Sequence, residues 1–136
     1  MKNTQSLIVS SLKQETLNSV VISFEVPPNL KNQYTFKAGQ YLTLSSNING
    51  EKVKRSYSIC SSPHGQNLQV GVKAIENGVF SNYVNDALRE GDSIEVSIPS
   101  SLSQKNYFYF SSLEISSLIV WSLFSTWQCY WNKSIG

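Results

Sequence analysis

The chain has 136 residues, 40% of them hydrophobic and 15% charged, a balance that suits one globular domain with an ordinary core. Its formal charge of +2 comes from scattered lysines and arginines, so no run marks a nucleic-acid partner or a strongly anionic membrane surface. The two cysteines, Cys60 and Cys129, exclude a four-cysteine iron–sulfur pattern, a paired metal spacing and a disulfide scaffold, and a reducing, cytoplasmic setting is expected.

In chain order, the N-terminal MKNTQSLIVSSLKQE has too short an apolar run and no small-residue cleavage pattern, so no secretory leader is expected. Val20, Ile22, Phe24 and Val26 alternate with Ser19, Val21, Ser23 and Glu25, which predicts a half-buried strand ending at Pro27-Pro28. Leu42 and Leu44 repeat the alternation, and Asn49-Gly50 predicts a tight turn because both residues tolerate positive φ; residues 41–58 therefore read as one hairpin. Further strands are predicted around Leu68, Val70, Val72 and Ala74 and around Ile94, Val96 and Ile98. Between them Val84, Ala87 and Leu88 fall at helical spacing, so a helix is predicted over residues 81–89 with Gly91 as its stop. Short strands with one helix point to an all-β fold, a small closed or nearly closed antiparallel barrel.

Two pieces of this pattern carry chemistry. Arg55 and Tyr57 lie two apart on a predicted strand and so share a face. The guanidinium can neutralise a phosphate through charge-assisted hydrogen bonds while the aromatic face stacks on a planar ring. Gly78-Val79-Phe80-Ser81 runs from a turn into a helix start, whose N–H groups lack intrahelical partners and favour a pyrophosphate. Gly78 suits a position needing positive φ, and Ser81 is a natural helix-start residue. Together they read as a cradle for a flavin dinucleotide. Each residue also has a plainer reading: Tyr57 as a cross-strand aromatic, Arg55 as a solvated surface charge, Gly78 and Ser81 as parts of any tight turn. Cys60 reads as a small buried hydrophobe. His64 has no identifiable partner, and neither a catalytic nor a metal role is assigned to any residue.

The motifs FEVPPNL (24–30), FKAGQYLTL (36–44), KRSYSICSSP (54–63), VGVKAIENGVFSNYV (70–84) and EGDSIEVSIPS (90–100) resemble the FAD-binding domain of the ferredoxin–NAD(P)H reductase family. Within it they resemble the NAD(P)H-oxidising oxygenase reductases of the phenylacetyl-CoA epoxidase kind. The resemblance implies a six-stranded antiparallel Greek-key barrel with one short capping helix, and FAD as cofactor. It implies that Arg55 and the N–H groups of Val79, Phe80 and Ser81, with the Ser81 hydroxyl, hold the pyrophosphate. It places Tyr57 against the isoalloxazine and Ser58 near the flavin N5 and O4 edge, with an ordinary strand serine as the plainer reading of Ser58. Regular alternation points Ser58 away from Tyr57, so a bend at the strand end is expected to bring it round. Val72, Lys73 and Ala74 are implied to line the ribityl and phosphate path, largely through backbone atoms, with a solvated charge as the plainer reading of Lys73. Gly39-Gln40-Tyr41 is implied to shape the barrel near the flavin, with core packing as its plainer reading.

After Ser100 the composition changes. All three tryptophans lie at positions 121, 127 and 131, and Glu114 is the only acidic residue beyond Glu95. The chain is therefore divided into a barrel at 1–103 and a divergent tail at 104–136. Asn106-Tyr107-Phe108-Tyr109-Phe110 resembles the opening strand of the family's NAD(P)-binding domain, but Ser111-Ser112-Leu113-Glu114 stands where a glycine-rich turn is expected. A truncated or frameshifted reductase is the expectation. Leu118 to Trp131 is apolar, yet Ser122, Ser125, Thr126 and Gln128 interrupt it short of the roughly 20 residues a spanning helix needs, so an exposed tail is expected rather than a membrane span.

The family's complete members pass electrons from NAD(P)H through FAD to an iron–sulfur or oxygenase partner, and this is the function the resemblance implies. The alternative is a non-catalytic flavin-binding or interaction barrel, and a third reading is a chain that cannot retain FAD. Enzymatic activity is left open between them.

Overall fold

The computed structural model describes residues 3–101. The tail assigned to 104–136, with its strand and apolar segment, lies outside them. The described chain forms β1 (Thr4–Thr16), β2 (Ser19–Glu25), a 3-10 helix (Pro28–Tyr34), β3 (Tyr41–Ile48), β4 (Glu51–Ser58), β5 (Leu68–Lys73), α1 (Val79–Asp86) and β6 (Ser93–Ser97). All strand pairings are antiparallel, in the order β4-β3-β6-β1-β2-β5. The sheet curls until its two ends meet. An isolated bridge joins Ile59 to Val70, and Cys60 N donates to Gln69 O at 2.9 Å. The expected all-β barrel of six antiparallel strands is therefore what forms.

Alternation explains the interior. Ile22, Leu42, Leu44, Val70, Val72 and Val96 are fully buried and point from four strands into one cluster, each adding about 1.5–3 kcal/mol relative to exposure. The hairpin register runs from Ile48↔Glu51 to Tyr41↔Ser58. Its two-residue turn has φ of 52° at Asn49 and 84° at Gly50, the signature of a type I′ turn whose twist matches the flanking strands. α1 buries Phe80, Ser81 and Val84, and the 3-10 helix sinks Tyr34, whose hydroxyl donates to Val96 O at 2.7 Å.

Two features go unannounced by the sequence, and two local expectations need correction. The β1 strand carries no clear pattern because only Leu7 and Val9 of its 13 residues are buried. Pro27-Pro28 ends β2 as expected, but Pro28 then opens a 3-10 helix at a position where a fixed φ and a missing N–H cost nothing. β2 is not half-buried: Ser19 and Val21 are buried along with Val20 and Ile22, since β2 is an inner strand between β1 and β5. The helix starts at Val79 and ends at Asp86 rather than spanning 81–89. Its start is set by Gly78 as N-cap, and Ala87 closes it with its N–H on Tyr83 O at 2.8 Å. No helix among the described residues is long and apolar enough to cross a membrane.

Candidate functional site

β4 brings Arg55 and Tyr57 to one face, opposite Leu44 and Leu42 of β3. The two side chains meet different surroundings because the face runs out of the core. Tyr57 is 7% exposed and belongs to the core cluster, whereas Arg55 is exposed. Its Nη1 donates to Lys54 O at 2.7 Å, and the rest of the guanidinium makes no ion pair with any described residue. The Tyr57 ring packs on Phe80 of α1, with centroids 5.9 Å apart at 33°. Phe80 in turn meets Tyr83 at 6.2 Å and 61°. Burial pushes the Tyr57 phenol well above the usual tyrosine range, and the nearby Arg55 charge offsets part of that rise.

The start of α1 faces the same space. Val79 shares with Arg55 and Lys54 the lining of a groove of about 590 Å³. Gly78, the N-cap, supplies no side-chain hydrogen bond, and the first turn holds no acidic residue. The N–H groups of Val79, Phe80 and Ser81 lack intrahelical acceptors by helix geometry, so an anion can take them.

Three expected details differ. Gly78 does not need positive φ: its φ is −77°, and Asn77 before it takes the left-handed conformation at 61°. Glycine is required there by space, because a Cβ would collide with Ile75 Cγ1 and Ser81 Oγ. The Ser81 hydroxyl is turned inward, accepting from Ile75 N at 3.3 Å and donating to Gly78 O at 3.4 Å; it fastens the loop before α1. No bend brings Ser58 round. The strand runs on to pair at Ile59, the first bend falls at Ser61, and Ser58 stays half-buried on the face opposite Tyr57, across from Tyr41.

Val72 points into the core, and its carbonyl accepts from Asn85 Nδ2 at 3.4 Å. Lys73 is exposed beside Ser19 and lies outside the groove lining. Gln40 is a junction. Its carbonyl accepts from Ile59 N at 3.0 Å, its Oε1 from Lys37 N at 2.8 Å, and its Nε2 donates to Ser101 Oγ at 3.1 Å. Sequence reasoning misses Glu51, Val53 and Lys54 as part of the groove, although counting back by twos from Arg55 reaches Val53 and Glu51 on the same face.

Against a flavin dinucleotide the donor set fits the diphosphate: an exposed guanidinium and an uncapped helix start line one groove. The ring contact fits less closely, because Phe80 already covers part of Tyr57.

The barrel has the fold of flavin-dependent reductases. A ferredoxin NADP+ reductase from Neisseria gonorrhoeae, with bound FAD and NADP, superposes with a TM-score of 0.64 at 20% identity, over 79% of this chain and 42% of that one. Phthalate dioxygenase reductase, a modular structure for electron transfer from pyridine nucleotides to a 2Fe–2S centre, gives 0.61 at 26% identity, over 74% and 32%. The family model of the oxidoreductase FAD-binding domain matches residues 6–104, and the chain belongs to that family, whose cofactor is FAD. A component of the 1,2-phenylacetyl-CoA epoxidase from Escherichia coli (strain K12) is 42% identical over 99 residues, 73% of this chain and 28% of the relative. The ferredoxin reductase component of 3-ketosteroid-9-alpha-monooxygenase from Rhodococcus rhodochrous is 36% identical over 96 residues, 68% and 27% respectively. The chain thus spans little more than a quarter of the length of these relatives.

Proposed function

We propose that the barrel is the flavin module of an NAD(P)H-dependent reductase that delivers electrons to an iron–sulfur or oxygenase partner in the cytoplasm. The observation that carries the reading is the shared groove of Arg55 and the uncapped start of α1, with Tyr57 two positions along the same strand face as Arg55. FAD held there supplies hydride acceptance and electron delivery. Arg55 and the N–H groups of Val79, Phe80 and Ser81 bind the diphosphate. Phe80, packed behind Tyr57, fixes the position of that ring. We assign Ser58 to the flavin edge through its backbone, since its side chain lies on the opposite face. Val72 holds α1 against β5 through its carbonyl, and Lys73 adds positive charge at the strand end. The relatives that share this barrel are an epoxidase component and a monooxygenase reductase, which favours an oxygenase as the acceptor and phenylacetate breakdown as the setting. We read 1–103 as the flavin barrel and 104–136 as a divergent segment corresponding to the start of an NAD(P)-binding domain.

Titration with FAD tests the reading. Arg55→Ala is expected to weaken FAD binding about tenfold or more, the worth of a charge-assisted contact to phosphate, with thermal stability unchanged because the side chain is exposed. Equal affinity in both proteins would remove Arg55 from the site. One observation supports a second reading, a barrel that keeps the fold without turnover: Tyr57 offers little free ring face. Reduction of a dye with NAD(P)H separates the two.

A further inference from the structure

Asn-Gly occurs twice among the described residues, at 49–50 and at 77–78. The pair is chemically labile, because the backbone nitrogen that follows can attack the asparagine amide and glycine has no side chain to hinder the approach. By sequence the two sites are equal. Both asparagines are also exposed and hold the left-handed backbone, with φ of 52° at Asn49 and 61° at Asn77. What surrounds the following amide differs. At the hairpin tip the register closes at Ile48↔Glu51, so the outer residues of the turn make its bond, and the Gly50 N–H has no acceptor among the described residues. Gly50 is exposed, and a Cβ there would meet nothing within 4 Å. Before α1 the corresponding amide is clamped. Gly78 N donates to Ile75 O at 3.0 Å, and Gly78 O accepts from Asn82 N at 3.0 Å and from Ser81 Oγ at 3.4 Å. Asn82 Nδ2 donates to Ile75 O and Ser81 Oγ accepts from Ile75 N, each at 3.3 Å.

We infer that Asn49 is a site of spontaneous deamidation and that the fold protects Asn77 from the same reaction. The Gly50 N–H loses its proton to solvent base, and the nitrogen forms a bond to Asn49 Cγ. The Cγ–Nδ2 bond breaks, and ammonia leaves with a proton taken from water. The cyclic imide then consumes one water. Breaking its Cγ–N bond gives aspartate, whereas breaking the bond from the main-chain carbonyl to N gives isoaspartate, whose backbone runs through Cγ. No oxidant or reductant takes part. The 77–78 peptide reaches the attacking geometry only after its N–H leaves Ile75 O and the start of α1 loosens, a local opening that holds the rate down. The product alters the groove, since Asn49 lines it together with Glu51, Lys52, Lys54 and Arg55, and Lys52 is already paired with Glu95 at 2.6 Å. A carboxylate at 49 joins that of Glu51 and reduces the positive charge of the lining. The isoaspartate form also adds a backbone carbon to the turn that sets the β3–β4 register. This ageing of the hairpin is independent of whether a flavin binds.

The test is incubation of the purified chain in mildly alkaline buffer, folded and in urea. Peptide mass spectrometry follows the change from amide to acid at each asparagine, and labelling by an isoaspartyl methyltransferase scores the rearranged product. The urea-unfolded chain gives the intrinsic ratio of the two rates. In the folded protein the ratio of Asn49 to Asn77 conversion is expected to rise about tenfold or more above it, because only Asn77 must wait for the clamp to open. Ser81→Ala removes two bonds of the clamp and is expected to speed conversion at Asn77 several-fold, with the rate at Asn49 unchanged. A ratio that is the same in folded and unfolded protein, or an Asn49 that outlasts Asn77 in the folded protein, would overturn the assignment. An unchanged Asn77 rate in Ser81→Ala would overturn the protective role of the clamp.

Discussion

Tyr57 shows how one residue serves two demands. Its place on the strand predicts a flavin platform, and the structure makes it a core residue at 7% exposure with Phe80 on its ring. Tyr57→Ala would therefore open a cavity and cost about 3–5 kcal/mol of stability, mixing folding with binding; Tyr57→Leu is the cleaner probe of ring stacking. The phenol also ties stability to pH. Burial raises both Tyr57 and Tyr34 above the ordinary value near 10, so the folded state holds these protons more tightly than the unfolded chain. Their contribution is complete below about pH 10 and is lost as pH rises above it. Denaturant unfolding from pH 8 to 11 should show stability falling at the alkaline end, and Tyr57→Phe should flatten the fall. A profile identical to the wild type would place the loss elsewhere. Gly78→Ala belongs to the same scale. Its Cβ would meet Ile75 and Ser81, and overpacking of this kind costs about 1–3 kcal/mol, so the thermal midpoint should drop; an unchanged midpoint would show that the loop yields freely.

Among the elements, hairpin β3–β4 is fully legible in the sequence and β1 is not. Asn49-Gly50 encodes its turn by φ alone, and strict alternation then carries Leu42, Leu44 and Tyr57 inward. β1 buries too few side chains to show a period, and its place comes from pairing with β2 and β6, which a local pattern cannot express. The α1 start is legible as a turn running into a helix but not in its detail. The choice of glycine at 78 depends on Ile75 and Ser81 folding back on it. Ser58 is misplaced by the expectation of a bend three residues before the one that occurs. The Gln40 junction is likewise invisible, since its partners Ile59 and Ser101 are remote in sequence. Gln40→Ala should cost about 1–2 kcal/mol, leaving Lys37 N without its acceptor and Ser101 Oγ without its donor; an unchanged urea midpoint would mean that water replaces both contacts.

At the scale of the whole molecule, the proposed cofactor groove lies on the β4 side of the barrel seam. β4 and β5 meet near Ile59 and Val70, α1 packs on both strands, and Arg55 of β4 and Val79 of α1 border one groove. A ligand bridging these two groups adds contacts where the sheet itself supplies none. Amide hydrogen exchange should therefore slow on FAD addition in β4 and α1, while β1 and β2 stay unchanged. The most direct test of the flavin module is the visible absorption spectrum of the purified chain after FAD is added and the sample desalted. A retained, shifted and structured flavin band is the result predicted by the Arg55–α1 cradle. A colourless protein that is still folded would contradict it and leave a barrel of this family that does not hold its cofactor.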